Sequence, residues 1–402
     1  MKRNHLLPTT DNAADGKASM ETNLNINPRP ARLAFIEGLR GIAAMYVVIF
    51  HITHSYIPNL PPRVRPWLAW TEHGHLAVDV FIVLSGFCLM LPLARSGTRQ
   101  LNGFSRFIKR RATRILPPYY AALAFSLLCL ALSSDTWRML HGRAPVHQGW
   151  GSELTTGDLL SHLFLYHNFT QWWLSLDVPM WTVATEFQIY FLFPLLLLPL
   201  LRRFNRPGLA IVAIGLGLIP LAFGPLDFWR RSCPWFIGLF AMGMIAAEVA
   251  LSGELIPWIA ALCGASAVAV ATPLIWHFGH EGRYMAPQDI LVGMATASFL
   301  ALCVQPSSII AAPRALLEMK PIVWLGTFSY SIYLMHTPIL AKVRPFTNLL
   351  HLSPLPEFIF TMLVTVPIVV AASFAFYLVC ERPFIYRRPA PAPVEPEVSL
   401  VA

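Results

Sequence analysis

Long apolar runs separated by short polar breaks recur from about residue 34 to residue 380. A run of about 20 apolar residues is long enough to cross a bilayer as a helix. In lipid, the backbone must satisfy its own hydrogen bonds, which favours helices over open sheets. The pattern therefore predicts an all-α polytopic membrane helix bundle of about ten transmembrane helices. The predicted spans are 34–55, 76–94, 115–133, 181–201, 207–224, 232–251, 255–275, 287–304, 321–341 and 357–380. The stretch 158–176 is apolar only in patches and holds Asp158, His162, His167, Asn168 and Gln171, with Asp177 just beyond. It reads as an interfacial or re-entrant element between the third and fourth spans.

Charge then orients the bundle. Only 13% of residues are charged, against about 25% for a typical soluble chain. The net charge of +9 does not point to nucleic acid, because the basic residues cluster in alternate loops. With the N-terminus inside, 21 of the 30 Lys and Arg fall at the cytoplasmic side, counting Arg40 at the inner end of the first span. That bias predicts an inner-membrane protein with both termini cytoplasmic. Residues 1–31 are polar, without the short apolar core of a cleaved signal, and read as a disordered cytoplasmic tail. Residues 387–402 read as a second such tail. The six cysteines lack metal-ligand spacing and read as apolar packing residues, and no metal site is expected.

Ionisable residues inside the spans are the candidate chemistry, since such groups are expensive in lipid. Arg40 and His51 lie eleven residues apart on the first predicted helix. Eleven helical steps return to within about 20° of the same face, about 16 Å further along. The arginine could hold an anionic group, and the histidine, near mid-bilayer, could move a proton as a general base. Asp79 and Ser85, followed by Gly86, lie on the second span, and Asp79 could orient an imidazole. Arg111 and Arg114 enter the third span three residues apart, on one side of a helix, where two guanidiniums suit phosphate. Glu186, with Gln188 and Tyr190, makes the fourth span unusually polar, and His336 precedes Pro338 in the ninth. From the residues alone, a transporter and an enzyme account equally well for these groups. A membrane scaffold would leave them without a role.

Six segments, in order, resemble the acyltransferase 3 family of integral-membrane O-acyltransferases. Arg40 and His51 are similar to its Arg-x10-His signature. Val78 to Phe87 resembles its second-helix motif ending Ser-Gly-Phe, and Arg111 with Arg114 matches Arg-x-x-Arg. Trp181 to Tyr190 is similar to Trp-Ser-x-x-x-Glu-x-Gln-x-Tyr, and Ser329 to His336 to Ser-Tyr-x-x-Tyr-x-x-His. Glu381, Arg382 and Pro383 resemble the terminal Glu-x-Pro. The departures are Glu37 for aspartate, Ala77 for glycine, Phe187 for a second glutamate and Thr337 for tryptophan. The resemblance covers residues 34–386, so residues 32–386 are expected to form one acyltransferase 3-like transmembrane domain.

The resemblance implies acyl transfer, most often of acetyl from cytoplasmic acetyl-CoA, to a hydroxyl of an extracytoplasmic glycan or lipid-linked sugar. A one-sided enzyme acting on a small molecule such as a macrolide is the alternative within the family. It implies catalytic roles for His51, Asp79, Glu186 and His336, and donor binding by Arg40, Arg111, Arg114 and Ser85. His51 would act as general base or transient acyl carrier, with Asp79 or Glu186 orienting it. The expected partners are acyl-CoA, the carbohydrate or lipid-linked sugar acceptor and membrane lipids, and not nucleic acid. Oligomeric state is not legible. Trp137, Trp150, Trp172 and Trp173 in the long outer segment 134–180 are plausible platforms for sugar rings.

Overall fold

A computed structural model describes residues 33–133, 155–170, 176–223, 228–229, 232–253, 257, 260–266, 285–305 and 308–385. The two predicted tails, those four tryptophans and most of the predicted span 255–275 lie outside the described residues. The described chain is all-helical, with no strand. The principal helices are α1 (Ala34–Tyr56), α2 (His75–Ser96), α3 (Phe104–Ala131), α4 (Thr156–Leu163), α5 (Met180–Leu192) and α6 (Leu198–Leu218). They continue as α7 (Phe236–Ser252), α8 (Met285–Val304), α9 (Ala311–Leu317), α10 (Lys320–Thr327), α11 (Ser329–Asn348) and α12 (Pro354–Phe376).

Six helical segments are long and apolar enough to cross a membrane: Ala34–Asn59, Arg65–Ser96, Phe104–Ala131, Met180–Ala222, Met285–Val304 and Pro354–Ile385. The expected count of about ten is not confirmed, and the differences have local causes. The predicted spans 181–201 and 207–224 form one helical run through a π-turn at Phe193–Leu197, broken at Asn205, whose φ is +58°. The predicted span 232–251 is a helix of 17 residues. The predicted span 321–341 is split at Phe328 into α10 and α11.

Close backbone approach holds the bundle together, as expected where lipid-like side chains give little driving force between helices. Gly86 on α2 lies against the carbonyl of Phe240 on α7, and Gly243 on α7 lies against the carbonyl of Val83 on α2. A methyl at either position would run into backbone oxygen. The start of α1 is seated in the same way. Gly38 meets the carbonyl of Leu317, and Gly326 on α10 meets the carbonyl of Glu37. This seat fixes the turn of α1 that carries Arg40.

The connection 155–170 packs against α3 and α5. Thr155 and Asp158 form a capping box that starts α4. Tyr119 and Tyr120 of α3 donate to the carbonyls of His162 and Leu163 at 2.9 and 2.8 Å. Asn168 and Gln188 exchange amide hydrogen bonds at 3.1 and 2.9 Å, which ties the connection to α5. Of the stretch 158–176, read from sequence as an interfacial or re-entrant element, residues 158–170 and 176 are described, and they include this short helix and its buried polar contacts.

Candidate functional site

Three layers of polar side chains are enclosed by α1, α2, α3, α5 and α11. The first layer is basic. Arg40 Nη1 lies 3.7 Å from Glu37, one turn back on α1, and Nη2 reaches Cys88 Sγ on α2 at 3.6 Å. Arg111 of α3 is within electrostatic reach of the same Cys88, of Tyr190 and of Arg114. Glu381 closes this layer from the end of α12, on a π-turn at Tyr377–Glu381. Its carboxylate takes a 2.5 Å hydrogen bond from Ser331 and lies within electrostatic reach of Arg114 and Arg40. Arg40, Arg111 and Arg114, far apart in sequence, are thus brought together.

The second layer is Glu186. Ser85 and Tyr190 both donate to its Oε1, Tyr190 at 2.5 Å, and Arg40 is within electrostatic reach. Each hydroxyl has a single proton. The Ser85 proton is therefore directed at Glu186.

The third layer holds the histidines. Thr182 donates to the carbonyl of Pro179 at 3.0 Å and meets the Tyr333 hydroxyl at 2.6 Å, so Tyr333 is the donor of that second bond. The Tyr333 ring lies 6.0 Å from His336, and His336 lies 5.1 Å from His51, centroid to centroid. His336 Nδ1 faces the carbonyls of Tyr333 and Ile332 at 2.8 and 3.2 Å, which requires the proton on Nδ1. Its Nε2 is buried and has no hydrogen-bond partner among the described residues. His51 packs its ring on Phe50 at 4.8 Å, and no hydrogen bond holds that ring among the described residues.

Gly74, just before α2, lies against the Phe50 ring, which packs on His51, so His51 is level with the start of α2. One expectation is revised by this geometry. Asp79 is not brought to His51. It shares a face of α2 with Gly86, seven residues on, and that face packs on α7. Its carboxyl lies within electrostatic reach of Asp289 of α8, which takes Trp235 Nε1 at 2.8 Å and stands 3.5 Å from His75 Nε2, and neither Asp79 oxygen has a hydrogen-bond partner among the described residues. Glu186 too is engaged away from His51. Asp289, Thr182 and Tyr333 had no place among the catalytic and binding residues inferred from sequence. Thr182 was legible as the hydroxyl of the Trp-Ser-like motif, and Tyr333 as the second tyrosine of the Ser329 to His336 segment. Nothing in the spacing pointed to Asp289.

Arg40 and His51 thus lie on one helix, with Glu186 within electrostatic reach of Arg40 and His336 beside His51. The family model described as an acyltransferase domain matches residues 33–374. The chain belongs to the acyltransferase 3 family. It is 26% identical over 347 residues to O-acetyltransferase OatA of Staphylococcus aureus, covering 79% of this chain and 52% of that protein. It is 25% identical over 346 residues to a putative peptidoglycan O-acetyltransferase, YrhL, of Bacillus subtilis, covering 77% and 49%. It is 24% identical over 334 residues to peptidoglycan O-acetyltransferase OatA of Listeria monocytogenes, covering 77% and 50%. The chain spans about half the length of these curated relatives. No solved structure is significantly similar to it.

Proposed function

We propose that this chain is an inner-membrane O-acetyltransferase that moves an acetyl group from cytoplasmic acetyl-CoA to a hydroxyl of an extracytoplasmic glycan. The observation that carries the reading is the continuity of the polar layers. Arg40 and His51 lie on one face of α1, about 16 Å apart, and Glu186 stands between their levels. Arg40, Arg111 and Arg114 would receive the phosphates of coenzyme A, because guanidiniums bind phosphate through paired, charge-assisted hydrogen bonds. The pantetheine arm would then run past Glu186 towards His51 and His336. The position of the imidazole pair near one end of α2 favours an acceptor that arrives from the opposite side and need not enter the bilayer deeply. Placing the arginine end in the cytoplasm follows the bias of basic residues, with both termini inside.

Residues 32–386 are the domain that does this work. Peptidoglycan is the first acceptor to try, since it appears in the names of two relatives. Purified protein in detergent, given acetyl-CoA and a soluble glycan fragment, should release coenzyme A and form an O-acetyl ester in equal amounts. Binding of the glycan with no turnover of acetyl-CoA would instead favour a transporter.

A further inference from the structure

A histidine that serves as base or nucleophile works best when a neighbour accepts its second N–H, which fixes both tautomer and ring orientation. Neither carboxylate expected to do this for His51 is hydrogen-bonded to it among the described residues: Asp79 lies beside Asp289 on the α7 side of α2, and Glu186 takes Ser85 and Tyr190. We infer that His336 is the positioning residue of His51, so that the site works as an imidazole–imidazole dyad with no carboxylate behind it. The inference rests on the acyltransferase reading and assigns a role within it.

Three observations converge on the pair. First, the two backbone carbonyls beside Nδ1 fix His336 in the tautomer that leaves a lone pair on Nε2. Second, that nitrogen is buried with no hydrogen-bond partner among the described residues, a cost a protein seldom leaves uncompensated. Third, two imidazoles joined by an N–H···N bond of ordinary length have centroids about 5 Å apart, and the observed separation is 5.1 Å. The rings are tilted by 41°, and the His51 ring has no hydrogen bond among the described residues to resist rotation. Turning His51 in place would put its one N–H on His336 Nε2 and aim its other, unprotonated nitrogen into the polar layers.

The step balances within the dyad. The aimed nitrogen of His51 takes the proton of the acceptor hydroxyl as the oxygen bonds to the thioester carbon. The C–S bond then breaks, and the same proton passes to the departing sulfur to give the free thiol. Throughout, the His51–His336 hydrogen bond shares the positive charge that builds on His51.

The test compares His336→Leu with His336→Gln, because a glutamine amide oxygen can stand near the place of Nε2 and accept the same N–H. His336→Leu should lower kcat by about 100-fold or more, with KM for acetyl-CoA changing by less than about threefold. His336→Gln should recover at least about tenfold of that loss. Unchanged coenzyme A affinity in both variants confirms that they fold. Nitrogen-15 NMR of labelled histidine should show His336 protonated on Nδ1 alone. A folded His336→Leu variant with wild-type kcat, a glutamine variant no better than leucine, or a proton on His336 Nε2 would each overturn the dyad. A wild-type protein that binds coenzyme A but forms no ester would overturn the acyltransferase reading itself.

Discussion

Replacing Arg40 by alanine separates donor binding from folding. Arg40 is held between Glu37 at 3.7 Å and Cys88 at 3.6 Å, so its guanidinium is already oriented before any donor arrives. Its removal unpairs Glu37, but that side chain keeps 23% of its surface exposed and can hydrate. An ion pair this exposed contributes about 0–1 kcal/mol, so the fold should survive. A phosphate oxygen bound by the same guanidinium loses a charged hydrogen bond of about 1.5–3 kcal/mol, or about tenfold to a hundredfold in affinity. Arg40→Lys should recover part of this, since lysine restores the charge but not the planar fork. The assay is calorimetric titration of coenzyme A into detergent-solubilised protein, with KM for acetyl-CoA measured alongside. A well-folded Arg40→Ala protein that binds coenzyme A as tightly as wild type would refute the placement of the donor phosphates.

Other perturbations follow from the same geometry. Gly86→Ala should destabilise the α2–α7 contact by about 1–3 kcal/mol, because its methyl meets a backbone carbonyl that cannot move alone. Thermal unfolding in detergent checks this, and an unchanged midpoint would contradict the packing. Asp79→Asn should keep kcat within about threefold, since the amide keeps the shape and can donate an N–H towards Asp289, whereas Asp79→Leu leaves Asp289 facing a purely apolar side chain and should reduce folded yield. A large loss of kcat in well-folded Asp79→Asn would return Asp79 to the chemistry. In the connection outside the spans, His167 stacks on His162 at 3.9 Å, and burial with that neighbour holds its pKa down to about 3. The unfolded form binds the extra proton first, so this contribution to stability is complete above about pH 6.5 and falls away as pH drops towards 3. Asp177 acts in the opposite sense, because burial raises its carboxyl well above the usual range. His167→Phe keeps the stack, and hydrogen exchange in 155–170 should then lose part of its acid sensitivity, the rest staying with His162, whose pKa burial also lowers; equal acid sensitivity in both proteins would contradict the assignment.

What was legible in the sequence, and what was not, divides by the range of the interaction. Arg40 and His51 share one helix, so their alignment follows from helical geometry alone. The hydrophobic runs likewise locate most helices, because apolar length is a local property. The break at Asn205 falls in the basic stretch 202–206 that separates two predicted spans, whereas the break at Phe328 interrupts a run read as one span and was harder to see. Asp79 was assigned to His51 because a buried carboxylate needs a partner. Its neighbour in the bundle, Asp289, lies 210 positions away, and no spacing rule reaches that far. Yet its face was available in advance, because Asp79 and Gly86 are seven residues apart and therefore point the same way. Ser85 was legible as a polar residue on the correct face. Only the assembled bundle shows that its proton is directed at Glu186, and only it shows that His51 has another imidazole as its neighbour.

The central claim is that the acetyl group crosses the membrane through the polar layers while the coenzyme stays on one side. Proteoliposomes holding isotopically labelled acetyl-CoA inside, with a glycan acceptor supplied only outside, test this directly. Protein inserted with its termini facing the lumen should place labelled acetyl ester on the external glycan and leave free coenzyme A within. Label appearing only on an acceptor sealed in with the donor would contradict the account and make the transfer one-sided, as for a small-molecule acceptor.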